Sequence, residues 1–309
     1  MALKRAAQLG LVFLGAIGAR TAALPSPLAN RANSIAALTD SQVAVFKPYS
    51  YYATTGYCMP NTTITWSCGK NCDANPDFKP VASGGNGKSV QRWYVGYDPH
   101  SKEVIVSHQG TDPSQFEQIL VDADIGFQNL NSTLFPGVSK DVMTHSGFSD
   151  AQEKAATEIL AAVKKTMSMY GTNKVVATGH SLGAAISLLD AVYFHINLPQ
   201  ASVRFIGYGV PRVGNDHWAD YVDAAGFPVT HVNNKQDIVP TLPYVFLGFH
   251  HPSGEIHIVD PESWLSCPGQ DNNDKLCSKG AVPNLFVGVA DDHAGPYDGV
   301  TMGQDTCDD

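Results

Sequence analysis

Five residues, Gly179-His180-Ser181-Leu182-Gly183, constrain this chain more than any other segment. They join a short apolar run, Lys174 to Thr178, to an apolar stretch, Leu182 to Asn197, with no spacer between them. A strand that passes straight into a helix needs a sharp turn. A turn that tight leaves no room for side chains two residues to either side of its apex, so both positions must be glycine. The apex serine is lifted clear of the sheet and set at a helix N-terminus, where partial positive charge favours an oxyanion. In this strand–helix context the pattern makes Ser181 a candidate nucleophile.

The rest of the chain carries the same alternation. Residues 90–97 and 103–107 flank Asp98-Pro99-His100-Ser101 and predict strand, turn, strand. Arg204 to Tyr208, Val229 to Val232 and Ile256 to Val259 predict further strands. A helix is expected over 34–57, where Pro48 is the one strong breaker. A second is expected from Ser149 to Tyr170, with Ser149 as its cap, Gln152 completing a capping box and Gly171 ending it. A third runs from Leu182 to Asn197 and a fourth from Asn215 to Ala225. Strands alternating with helices imply an α/β fold with a mainly parallel central sheet covered by helices on both faces. No repeat or internal linker interrupts residues 34–309, which read as a single domain.

A serine hydroxyl needs a base, and the base needs an orienting carboxylate. On a strand–turn–helix scaffold of this kind the chain order is serine, acid, histidine. Asp237 is the best acid, because it follows the strand Val229–Val232 and Ile238-Val239-Pro240 can anchor it. Four histidines follow: His250, His251, His257 and His293. His257 lies in Ile-His-Ile and is expected to pack against a sheet face. His250 and His251 sit in an aromatic stretch where a histidine is usually structural. His293 lies in a polar late loop, Asp-Asp-His-Ala-Gly-Pro-Tyr, that can fold back over the strand ends, so it is the preferred base.

Composition bounds the partners and the compartment. Of 309 residues, 43% are hydrophobic and 16% charged, which excludes a disordered chain. Acidic residues exceed basic ones by 29 to 20, for a formal charge of −9. That argues against nucleic acid and anionic membranes as partners, but not against neutral lipid. Lys4 and Arg5, the apolar stretch Leu9 to Ile17 and small residues through Ala22 and Ala23 predict a secretory signal over 1–23, with 24–33 as a flexible leader or short propeptide. The apolar run is too short to span a bilayer, and no stable membrane insertion is expected. Six cysteines follow the signal and suggest three disulfides in an oxidising compartment. Six cysteines allow 15 pairings. Cys68 with Cys72 and Cys267 with Cys277 would close short loops, leaving Cys58 to Cys307. A zinc site is the weaker reading, since Cys68-x3-Cys72 has no second half. Asn61-Thr-Thr and Asn131-Ser-Thr are glycosylation acceptors of the kind an exported chain carries.

Taken in order, Val-Ser-His-Gln-Gly-Thr at 106–111, His-Ser-Gly-Phe at 145–148, Gly-His-Ser-Leu-Gly-Ala at 179–184, Tyr-Gly-Val-Pro-Arg-Val-Gly-Asn at 208–215 and Asp-Ile-Val-Pro at 237–240 resemble the class 3 (fungal) lipase family of the α/β-hydrolase superfamily. The resemblance runs from about residue 40 to the C-terminus. It implies a disulfide-stabilised α/β-hydrolase with Ser181, Asp237 and His293 as the triad. It also implies Thr111 and the Leu182 backbone N–H as oxyanion donors, and no metal or organic cofactor. His108-Gln109 stands where the family more often has Phe-Arg, and Asn233 to Gln236 are extra residues before the acid. The family carries a lid after the oxyanion loop. Here Phe116, Ile119 and Leu120 fall at helical spacing within 112–127, as an amphipathic cover requires. The function implied is a secreted, extracellular triacylglycerol or acylglycerol lipase working on neutral lipid or ester at an oil–water interface, with a monomer favoured. Two alternatives stay open: a feruloyl-type esterase of the same family, and a non-catalytic secreted binding protein on the same scaffold.

Overall fold

The computed structural model describes residues 34–111, 126–260, 263–284 and 286–307. The expected signal, the leader over 24–33 and the lid positions Phe116, Ile119 and Leu120 lie outside the described residues.

Thirteen strands are described: β1 (Ala36–Ala37), β2 (Lys79–Gly84), β3 (Trp93–Asp98), β4 (Glu103–His108), β5 (Phe127–Asn129), β6 (Met143–His145), β7 (Lys174–His180), β8 (Ser202–Tyr208), β9 (Gly214–Asn215), β10 (Val229–Asn234), β11 (Phe249–His250), β12 (Glu255–Val259) and β13 (Ser263–Cys267). Nine form one sheet in the order β1-β13-β12-β10-β8-β7-β4-β3-β2. Its centre, β12-β10-β8-β7-β4, is parallel throughout, and antiparallel strands extend both margins. A separate antiparallel sheet, β11-β9-β6-β5, was not legible in the sequence, because strands of two or three residues carry no period.

The longer helices are α1 (Lys47–Thr55), α2 (Ser146–Glu153), α3 (Ala156–Tyr170), α4 (Leu182–Asn197) and α5 (Asp216–Ala225). Side chains alternate across the central strands. Val104, Val106, Val175, Ala177 and Phe205 join the core that contains Ile159 and Val163 of α3, Ile186 and Leu189 of α4, and Trp218 of α5. Ile105, Val176 and Ile206 point the other way, into a core with Tyr49 and Tyr52 of α1, Trp264 and Tyr297. Every residue of α4 from Leu182 to Phe194 is buried, so this helix is apolar nearly all round.

Two helix expectations are corrected. The segment 34–57 is β1, a four-residue helix at Asp40–Val43 and then α1. Pro48 sits in the first turn of α1, where a missing N–H costs nothing. The helix expected over 149–170 breaks at Lys154-Ala155 into α2 and α3. Ser149 is not a cap. His145 caps α2 by accepting the Gly147 N–H at 3.1 Å, while the Ser149 hydroxyl pairs with Thr144. Tertiary partners thus take the groups that a capping box would have used. The cysteines pair as Cys58–Cys307, Cys68–Cys72 and Cys267–Cys277.

Candidate active site

The parallel strands end together, and the candidate residues follow those ends: Thr111 after β4, Ser181 after β7 and Asp237 after β10. In parallel α/β sheets this edge is where ligands bind. Ser181 has φ 59° and ψ −130°, a conformation costly for any residue but glycine and typical of a strained functional turn. The flanking glycines are required by contact. A Cβ on Gly179 would lie 2.5 Å from the Gly183 carbonyl oxygen, and one on Gly183 would lie 2.3 Å from the His108 carbonyl oxygen. The turn therefore packs on itself and against the end of β4. Ser181 is buried, and its Oγ makes no hydrogen bond among the described residues. Leu182 is the first residue of α4, where backbone N–H groups point out of the helix. Gly110 rests on the Tyr57 hydroxyl and the His180 carbonyl, so half-buried Thr111 leaves β4 beside the elbow.

Asp237 and His293 meet. Nδ1 of His293 lies 2.8 Å from Oδ2 of Asp237, with both side chains buried, and the other carboxylate oxygen accepts the Val239 N–H at 2.9 Å. The approach is built by Asp292, whose carbonyl accepts from Asn234 at 2.9 Å and whose carboxylate accepts the Gln236 N–H at 3.0 Å. These bonds tie the short helical turn Ala290–Ala294 to the end of β10. The His293 ring also lies over the His180 ring, with centroids 4.4 Å apart.

His180 is a site residue that sequence reasoning missed, although it stands beside Ser181 in the motif. Its Nε2 contacts the His293 carbonyl at 2.8 Å and its Nδ1 the Tyr57 hydroxyl at 2.7 Å. A carbonyl only accepts, so Nε2 carries the proton. Burial, with His293 adding to it, holds His180 well below the usual histidine range, so Nδ1 accepts from Tyr57. The other late histidines lie elsewhere. His257 bonds the Leu276 and Lys235 carbonyls, His251 bonds the Pro240 carbonyl, and His250 lies 3.5 Å from Asp271. Among the described residues no group of three or more histidine, cysteine, aspartate or glutamate side chains could hold a metal ion. No helix among them is long and apolar enough to cross a membrane.

The family described as Lipase (class 3) matches residues 105–247, which span the end of β4, the serine turn and the acid loop. The secreted mono- and diacylglycerol lipase LIP2 of Malassezia restricta is 33% identical over 179 residues, 56% of this chain and 57% of that protein, so the chain spans little more than half of that relative's length. Secreted mono- and diacylglycerol lipase 3 of Gibberella zeae is 33% identical over 231 residues, 71% of this chain and 69% of that protein. The structure of Rhizomucor miehei triacylglyceride lipase superposes with a TM-score of 0.76 at 28% identity, covering 88% of this chain and 99% of that one. With one family matched across the middle of the chain, a relative matched over most of its length and a fold shared almost end to end, the chain belongs to the class 3 lipase family of α/β-hydrolases.

Proposed function

We propose that this protein is a secreted serine hydrolase of carboxylic esters whose substrates are acylglycerols. The observation that carries this reading is the buried His293–Asp237 hydrogen bond at the strand edge that also bears the strained Ser181. With Nδ1 committed to the carboxylate, Nε2 takes the Ser181 proton as Oγ attacks the ester carbonyl. Asp237 holds the tautomer and stabilises the imidazolium. The tetrahedral oxyanion is received by the Leu182 N–H and by Thr111, each worth about 3 kcal/mol in the transition state. His293 then protonates the departing alcohol oxygen, leaving an acyl group on Ser181. Water, deprotonated by His293, attacks that acyl carbon and releases the fatty acid and the serine. The Ser181–His293 hydrogen bond forms as substrate docks, as is common where resting sites are loosely aligned.

The substrate class is supported by two facts. The relatives are named for mono- and diacylglycerols and the Rhizomucor protein for triacylglyceride. On this chain, Phe246, 80% exposed, follows the acid loop, and Phe286, 98% exposed, precedes His293. Large apolar side chains exposed in the segments that follow Asp237 and precede His293 suit contact with neutral lipid. In this reading residues 34–309 form one catalytic domain behind a signal at 1–23 and a short leader at 24–33, and the product is extracellular.

The test is a panel of p-nitrophenyl esters from acetyl to palmitoyl, with and without an emulsion, together with methyl ferulate. Long-chain turnover raised by the emulsion is expected. Turnover confined to methyl ferulate would assign the site to aryl esters instead. Ser181→Ala should fold and lose about 10⁶-fold in turnover. Normal turnover by folded Ser181→Ala would overturn the serine mechanism.

A further inference from the structure

One short segment touches two members of the proposed triad and the loop that follows the third. The Tyr208 carbonyl accepts the Ser181 N–H at 3.0 Å. At Gly209 a Cβ would lie 2.7 Å from the His293 ring, so the imidazole is seated on bare backbone. Three residues on, Arg212 reaches the loop that follows Asp237. Its backbone N–H donates to the Leu242 carbonyl at 2.8 Å, and its guanidinium donates to the carbonyls of Thr241 and, at 3.0 Å, Pro243. His251 Nε2 takes the neighbouring Pro240 carbonyl at 2.8 Å. Four consecutive carbonyls, 240–243, are therefore held by two residues outside the loop.

Both holders are themselves fixed by Asp271. One carboxylate oxygen accepts from Arg212 Nε at 2.8 Å and lies 2.7 Å from Nη2, while the other accepts the His251 backbone N–H at 3.0 Å. Arg212 is 2% exposed. A guanidinium buried to that degree is tolerated only when its donors are matched, and here the planar fork is matched to one carboxylate and two carbonyls. The held loop transmits this order to the acid. Thr241 N–H bonds the Ile238 carbonyl, Leu242 N–H the Val239 carbonyl, and Val239 N–H the Asp237 carboxylate, so 237–242 is one hydrogen-bonded unit.

We propose that Arg212 is a positioning residue for the reaction: by gripping the carbonyls of residues 241–243 it aligns Asp237 with the His293 ring. This rests on the triad reading above. Arg212 touches no reacting atom. It acts through the acid, as a misplacement of about 1 Å in such a group costs about 10²-fold in rate.

The experiment uses the full-length secreted enzyme with p-nitrophenyl butyrate. Arg212→Lys keeps the charge and loses the fork. The double variant Arg212→Met with Asp271→Leu removes both charges and is the alternative should the lysine fail to fold. In either folded variant kcat should fall about 10²-fold with little change in KM. The acidic limb of the kcat/KM profile should move to lower pH, because a misaligned carboxylate stabilises the imidazolium less. In an Asp237→Asn background the same change at 212 should cost nothing further. An unmoved pH limb in a folded variant, or losses that multiply with Asp237→Asn, would overturn the proposal. So would failure of both variants to fold, which would assign the clamp to the fold alone. If Asp237→Asn itself retains full activity, the triad reading fails first, and the two failures are told apart.

Discussion

His108, the last residue of β4, meets Asp190 of α4 inside the molecule, with Nε2 2.7 Å from the carboxylate and neither side chain more than 3% exposed. The other carboxylate oxygen accepts from Gln152 at 2.8 Å. The strand that carries the proposed oxyanion loop is thereby pinned to the helix that begins at the proposed nucleophile. A phenylalanine at 108 would leave the Asp190 carboxylate buried against Gln152 alone. His108→Phe is expected to lose about 3–5 kcal/mol of stability in urea unfolding, and His108→Phe with Asp190→Leu to recover most of it. Equal stability of the single variant and the parent would show that the pair contributes nothing.

Gly183 separates the first turn of α4 from the backbone of His108 and Gln109. A methyl group there meets backbone atoms on a packed strand, which have little room to give. Gly183→Ala should cost about 1–3 kcal/mol of stability, and it should lower kcat by about 10²-fold by moving the proposed oxyanion donors off the substrate carbonyl. Labelling by a serine-directed phosphonate counts competent sites, so the loss per site can be separated from a loss of folded protein. Unchanged kcat per labelled site would contradict this contact.

What the sequence disclosed about the site depends on how local each constraint is. Gly179 faces the Gly183 carbonyl within the turn, a constraint that five residues announce, although Gly183 also faces the distant backbone of His108. Asp237 and His293 were legible through chain order and loop position, although 56 residues separate them. The Arg212 clamp was not legible. Its partners come from residues 241–243 and 271, and nothing in Pro-Arg-Val-Gly says where the guanidinium points. His180 was overlooked because its role follows from the Tyr57 hydroxyl and the His293 carbonyl, both distant in sequence. Ser149 and Gln152 matched a capping pattern by spacing, but their side chains answer to Thr144 and Asp190 instead.

Acid should destabilise the fold through its buried histidines. Burial pushes His251 down to about 3, with the stacked His231 adding to it, and pushes His145 down to about 4. Burial also lowers His231. These rings are neutral in the folded protein, whereas in the unfolded chain they gain protons near the ordinary value of 6.5. Their contribution is therefore fully present above pH 6.5 and is lost as pH falls toward the folded values. Each ring adds a slope of up to about 1.4 kcal/mol per pH unit in that window. Thermal unfolding followed from pH 7.5 to 4.5 should show a steady fall in Tm. A Tm that stays flat from pH 7 to 5 would mean that these rings are not buried as described.

The Cys58–Cys307 bond should outweigh the other two in stability. It closes a loop of 249 residues, against 10 for Cys267–Cys277 and 4 for Cys68–Cys72. In the chain-entropy account the benefit grows with the logarithm of loop length, and the long loop is favoured over the ten-residue one by about 3 kcal/mol. Native contacts also hold these ends together. The Thr54 and Thr306 hydroxyls lie 2.8 Å apart, and Asn71 donates to the Thr306 carbonyl at 2.9 Å. Paired serine replacements at 58 and 307 should therefore lower the urea midpoint more than paired replacements at 267 and 277. The reverse order would show that residual structure in the unfolded chain, rather than loop length, governs what these bonds contribute.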